Sequence, residues 1–156
     1  SKTFNLAGLR AGQVIIPDDT LRAAYQRSLR MQDYGAGTVG AVATMAAYSR
    51  EGEEWLNALN TYLDGNRAAF DAGINAIPGL QSMHLESTFL SWVDFSGTGM
   101  TPEEVAARIS DAKIAVSPGG AFGAGGEMFN RFNISMPRAR IDDAVTRMQA
   151  AFSDLQ

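Results

Sequence analysis

The sequence contains no cysteine and a single histidine, His84. The first absence removes disulfides, thiolate metal sites and a cysteine nucleophile. The second argues against a histidine-based metal centre and against a Ser-His-Asp triad. Positive charge is also in short supply. The 13 Lys and Arg against 17 Asp and Glu give a net charge of -4 and a pI near 4.9. Such a balance does not provide the clustered cations that a nucleic-acid partner requires. Lysine in particular is rare, with Lys2 and Lys113 standing against eleven arginines. No apolar run approaches the roughly 18 residues of a membrane span, and the lack of cysteine fits a cytoplasmic protein.

What is present suffices for one ordinary globular domain: 156 residues, 46% of them hydrophobic and 19% charged. Residues 11–16, closing at Pro17, have the β-branched character of a strand. Asp18 or Asp19 then caps a helix with Leu21, Ala24, Tyr25 and Leu29 on one face. A turn is expected at Gly35-Ala36-Gly37. The small-residue helix after it, with Val39, Val42, Ala43 and Ala46, is apolar on most sides and is expected to be buried. From Glu53 to Ile77, spacings of three and four predict one long amphipathic helix, ended by Pro78-Gly79 and interrupted by Gly65.

Two paired strands are expected at 80–85 and 88–95. Thr101-Pro102-Glu103-Glu104 is a capping box that starts a helix running to about Ala112. A strand at 114–116, a glycine-rich loop at 117–126, a strand at 128–136 and a last helix with Ile141, Val145, Met148, Phe152 and Leu155 on one stripe complete the chain. Helices followed by interleaved strands and helices define an α+β (α/β) class, with a mixed or antiparallel sheet covered by helices.

Alternation puts Phe132, Ile134 and Met136 on one side of the last strand and Arg131, Asn133 and Ser135 on the other. A mid-strand Arg131 beside a glycine-rich loop is a candidate carboxylate ligand, because its planar fork donates two parallel hydrogen bonds. It also reads as a solvated residue or a structural ion pair. Lys2 by itself reads as an ordinary surface charge; it is also a candidate amine nucleophile, a role in which neighbouring cations or burial must favour the uncharged form. Arg10, eight residues on, offers such a cation and a phosphate ligand, or is a loop arginine with no particular duty. The loop 117–126 lacks the Lys-Ser/Thr ending of a nucleotide-binding loop and reads either as a plain turn or as a substrate lid. Trp55, Tyr62, Phe70, Phe89 and Trp92 fall at helix or strand spacings and read as core.

The segments in chain order carry a resemblance: Ser1-Lys2-Thr3-Phe4-Asn5-Leu6-Ala7-Gly8-Leu9-Arg10, then Glu54-Trp55-Leu56-Asn57-Ala58-Leu59 and Tyr62-Leu63-Asp64-Gly65-Asn66-Arg67. Thr88-Phe89-Leu90-Ser91-Trp92-Val93-Asp94-Phe95, Val116-Ser117-Pro118-Gly119, Phe122-Gly123, Phe129-Asn130-Arg131-Phe132-Asn133-Ile134 and Pro137-Arg138-Ala139-Arg140 follow. Together they resemble fold-type I pyridoxal-phosphate enzymes of the class I/II aminotransferase family, in particular the cystathionine β-lyase-like branch.

The resemblance implies that Lys2 holds pyridoxal 5'-phosphate through a Schiff base and moves the substrate α-proton. It implies that Arg10 binds the cofactor phosphate and Arg131 the substrate α-carboxylate. The implied substrate is an L-amino acid and the implied assembly a homodimer. Residues 1–40 would close the large cofactor-binding domain, and residues 41–156 would form the C-terminal small domain with its long connecting helix. The chain would then be the C-terminal part of a longer enzyme and inactive by itself. Glu86-Ser87-Thr88-Phe89, Met128 and Arg10 depart from the lyase pattern, so C–S β-lyase and aminotransferase chemistry both stay open. The alternative of another class is a non-catalytic folding or interaction module.

Overall fold

The computed structural model describes residues 1–32, 35 and 37–155. They divide into two compact units, 1–58 and 59–156, with the boundary inside one long helix.

In the first unit, residues 1–10 form a loop with a short 3-10 turn at Ala7–Leu9. Asn5 and Arg10 there adopt left-handed backbone angles, φ 52° and 49°, which non-glycine residues seldom do. Residues 11–18 run without a ladder partner among the described residues. The strand expected at 11–16 is therefore absent from the sheet. Its β-branched residues favour extended backbone, but a strand exists only where a neighbour accepts its hydrogen bonds, and Ile15 is 90% exposed. Helix α1, Asp19–Met31, begins as expected, with the Asp18 carboxylate accepting from the Leu21 amide at 2.7 Å. The turn expected at Gly35-Ala36-Gly37 lies partly outside the described residues.

Helix α2, Thr38–Ala47, forms where predicted. Its expected burial is not found, since Val39, Val42 and Met45 are exposed and Gly40 is the buried member. An apolar composition signals what a helix can bury, whereas the neighbours settle what it does bury. Gly40 packs against the 11–13 segment, where a Cβ would stand 3.0 Å from that of Ala11. Gln13 donates to Thr44 across the same contact at 3.3 Å. Phe4 meets Tyr48 edge-on at 5.4 Å and stacks on Trp55 at 6.3 Å.

Helix α3, Arg50–Asn75, is the long predicted helix. In the second unit it is followed by β1 (Gln81–Ser82), β2 (Leu90–Asp94), helix α4 (Pro102–Asp111), β3 (Ser117–Pro118), β4 (Phe129–Asn133) and helix α5 (Arg138–Ala151). The strands order β1-β2-β4-β3, antiparallel at every pairing. The strand expected at 114–116 sits instead at 117–118, because pairing with Asn130 and Arg131 selects those two residues. The α4 capping box is complete: the Thr101 hydroxyl accepts from the Glu104 amide, and the Glu104 carboxylate accepts from the Thr101 amide.

One core joins the inner face of the sheet to the buried residues of α3, α4 and α5, among them Phe70, Ile74, Val105, Ile109, Ile141 and Met148. Two buried hydroxyls on that inner face are satisfied within a network. Ser82 donates to Asp71 of α3 at 2.6 Å and shares a 3.0 Å hydrogen bond with Ser91. Arg108 of α4 forks onto Asp154, donates to the Ala151 carbonyl at 3.0 Å and lies over the Phe152 ring at 5.5 Å. That charge-assisted hydrogen bond holds the Asp154 carboxyl at about 2, below its ordinary 3.8, while the pKa of Arg108 is raised.

Gly73 lets α3 and α5 approach closely, and a Cβ there would fall 2.3 Å from Val145 Cγ1. Helix propensity favours Ala over Gly by about 1 kcal/mol, but overpacking a stiff β-branched neighbour costs typically 1–3 kcal/mol. Gly73→Ala is therefore expected to lower unfolding free energy, by about 1–2 kcal/mol in chemical denaturation; a gain in stability would show that the helices part freely. Because the folded-state pKa of Asp154 is depressed, its contribution to stability is complete above about pH 3.8 and is lost as the pH falls toward about 2. A carboxyl NMR titration should find that low midpoint, and Arg108→Ala should move it upward.

Candidate active site

The antiparallel register of β2 and β4 sorts their side chains onto two faces. Ser91 and Val93 of β2, with Asn130 and Phe132 of β4, are buried toward the helices. Leu90, Trp92 and Asp94, with Phe129, Arg131 and Asn133, lie on the opposite, half-open face. Arg131 is paired with Trp92 on one side and with Ser117 of β3 on the other.

The surroundings of Arg131 are specific. Its Nη2 donates to the Ser117 hydroxyl at 3.2 Å, and its guanidinium carbon lies 4.6 Å from the centre of the Phe122 ring. Among the described residues it makes no ion pair and no other side-chain hydrogen bond. It lines a cavity of about 270 Å³ with Leu90, Val116, Ser117 and Asn133. A guanidinium has five N–H donors, so four remain for water or for a ligand. Three aromatic rings support this face: Phe122 meets Trp92 edge-on at 5.5 Å, and Trp92 stacks on Phe129 at 5.6 Å.

Phe122 arrives through the glycine-rich loop, whose first residues form a 3-10 turn, Gly119–Phe122. The loop closes on itself where Gly119 and Gly126 touch. A Cβ on Gly119 would lie 2.2 Å from the Gly126 carbonyl oxygen, and one on Gly126 would lie 2.4 Å from that of Gly119. Gly123 and Gly125, at φ 128° and 88°, supply backbone angles closed to most side chains. Gly119, Gly123, Gly125 and Gly126 thus have steric or backbone causes, and the closed loop carries Phe122.

The chain leaving β4 is held by Asn66 of α3, a fully buried amide. Its Nδ2 donates to the carbonyls of Ile134 at 2.9 Å and Met136 at 2.8 Å, and its Oδ1 accepts from Arg138 Nε at 2.9 Å. The Arg138 amide donates to the Tyr62 hydroxyl at 2.8 Å. Residue patterns did not reveal this clamp; the one available signal was a polar Asn inside an otherwise apolar helix stripe. Tyr62 and Trp55, expected in the core, are 47% and 48% exposed. Phe70 is core as expected, Phe89 is partly buried against the core, and Trp92 belongs to the half-open face.

Lys2 and Arg10 are exposed residues of the first unit, both in the 1–10 loop, whereas Arg131 belongs to the second. The Arg10 amide donates to the Ala7 carbonyl at 3.1 Å and ends the 3-10 turn. His84 is exposed, and no metal-binding group of His, Cys, Asp and Glu is found among the described residues. No helix among them is long and apolar enough to cross a membrane.

The profile of the aminotransferase class I and II family matches residues 1–148, and the chain belongs to that family. It is 36% identical over 155 residues to cystathionine beta-lyase PatB of Bacillus subtilis, covering 98% of this chain and 40% of that protein. It is 32% identical over 149 residues to protein MalY of Escherichia coli, covering 93% and 38%. Cystalysin from Treponema denticola, whose crystal structure contains pyridoxal 5'-phosphate, superposes with a TM-score of 0.88 at 27% identity, over 99% of this chain and 40% of that one. The chain thus spans about 40% of the length of the curated relatives it matches. The expected fold class agrees with these neighbours.

Since the Gly119–Gly126 contact closes the loop, Gly119→Ala should force it open. Amide hydrogen exchange over 119–126 is expected to accelerate while the core of α3 and α5 keeps its protection. Unchanged exchange in the loop would contradict the role given to that contact.

Proposed function

We propose that the chain belongs to a pyridoxal-phosphate enzyme acting on an L-amino acid, with C–S β-lyase-like chemistry as the first reading. Residues 1–40 are assigned to the end of the large domain and 41–156 to the small domain, in an enzyme that works as a homodimer. The observation that carries the reading is Arg131: a part-buried guanidinium with one hydrogen bond, facing a cavity, with no counter-charge among the described residues. An α-carboxylate supplies what that group lacks, two oxygens in the plane of its N–H fork. The matches to enzymes along nearly the whole chain disfavour the folding or interaction module.

The residues present fit the cofactor by the chemistry of their donors. Lys2 offers a primary amine for an aldehyde and Arg10 a guanidinium for a phosphate, both exposed within one ten-residue loop. When bound, pyridoxal phosphate supplies an electron sink for negative charge developing at the substrate α-carbon. In this reading Arg131 fixes the carboxylate and so orients the α-C–H bond. Lys2 Nζ takes the α-proton and holds it for return. Arg10 anchors the phosphate. In the lyase branch the sulfur leaving group would depart from Cβ as a thiol, taking up a proton, and one water would hydrolyse the released three-carbon enamine to pyruvate and ammonia.

The aminotransferase reading stays second, favoured by the breadth of the matched family and by Arg10. The full-length enzyme given L-cystathionine should release pyruvate and ammonia, whereas exchange of amino groups between an amino acid and a keto acid with no ammonia would move the assignment to the second reading. Arg131→Ala should raise KM for the amino acid by about 10- to 100-fold, the range of a charge-assisted pair, and Lys2→Ala should abolish the cofactor's visible absorption band. A band that survives in Lys2→Ala would remove the lysine from its role.

A further inference from the structure

We infer that Phe122 is a positioning residue that acts through Arg131, setting the plane of the guanidinium for a carboxylate. The inference rests on the carboxylate reading of Arg131 given above. Phe122 is 53% exposed, an unusual place for a large aromatic ring. Its exposure leaves little core burial to account for the effort of holding it, yet two of its contacts are specific. One is the Arg131 guanidinium at 4.6 Å, and the other is the edge-on Trp92 at 5.5 Å and 82°. Trp92 is itself held by stacking on Phe129 at 5.6 Å and 13°. The loop that delivers Phe122 is closed by the Gly119–Gly126 contact.

An arginine side chain has several rotatable bonds, and a carboxylate that it grips in two places must first pay for freezing them. Here part of that ordering is done beforehand. The ring face attracts the cation and the Ser117 hydroxyl takes one Nη2 hydrogen at 3.2 Å. Two contacts of different direction fix both the tilt and the rotation of the fork. The N–H groups at the guanidinium rim stay available, because a ring that contacts the face leaves the rim open. Leucine in place of Phe122 would retain apolar bulk against Trp92 but would offer no π face to the cation.

The test uses the full-length holoenzyme and propionate, which carries a carboxylate but no amine. By calorimetric titration, Phe122→Leu should weaken propionate binding about 3- to 30-fold, the span of a cation–π contact from exposed to desolvated, and Phe122→Tyr should restore it. In turnover, Phe122→Leu should raise KM for the amino acid by a similar factor with kcat within about twofold of the parent. In an Arg131→Met background, Phe122→Leu should have no further effect on propionate. Because Phe122 is half out in solvent, its replacement leaves the core intact, and Phe122→Met serves as a second apolar variant. If Arg131→Met weakens propionate binding while Phe122→Leu and Phe122→Met do not, the inference is overturned and the carboxylate reading stands. If Arg131→Met leaves propionate binding unchanged, both fall.

Discussion

The pairing of β2 with β4 is the constraint on which the rest of the second unit depends. Trp92 opposite Arg131 and Val93 opposite Asn130 put a charged fork and an apolar side chain on opposite faces of one two-strand ribbon. Side chains alternate with a period of two, so a slip of one residue would drive the guanidinium into a core where Val93 and Phe95 have no exposure at all. A buried charge without a partner is among the most expensive things a fold can contain. The same burial that stabilises the inner face thereby holds Arg131 on the outer one.

Register alone does not hold the strand end in place, and polar groups on α3 complete the job. Asn66 spends both amide hydrogens on the carbonyls of Ile134 and Met136, which are then satisfied without a strand neighbour. Its oxygen receives Arg138, whose guanidinium passes close over Gly65; a Cβ there would lie 2.7 Å from Arg138 Nη2. The mid-helix glycine, which costs about 1 kcal/mol in propensity, is explained by this crossing. Asp71, Ser82 and Ser91 form a hydroxyl–carboxylate chain that binds β1 and β2 to the same helix. The long helix is therefore an apolar wall with two polar fastenings, one to β1 and β2 and one to the chain leaving β4.

Much of the architecture was legible because its signals are local. The Thr101 capping box, the Asp18 cap and the three-and-four spacing of α3 each depend on residues within a few positions of one another. The alternation in 128–136 correctly separated Phe132 and Ile134 from Arg131 and Asn133. Failures arose where a neighbour decides. Residues 11–16 read as a strand but lie unpaired among the described residues, and α2 reads as buried but exposes Val39 and Met45. The short strand moved from 114–116 to 117–118 because its partner in β4 fixes which amides are matched.

For the candidate site, residue type and strand position made Arg131 a candidate carboxylate ligand beside the reading of a solvated or ion-paired residue, and the order of motifs along the chain indicated the family. Those are properties of local chemistry and of linear order, and both survive without coordinates. The aromatic support, the Ser117 contact and the Asn66 clamp came from tertiary structure alone. Each joins residues many positions apart, whose distance in space depends on sheet register, helix crossing and loop closure together. A sequence records which side chains are available; packing determines which of them meet.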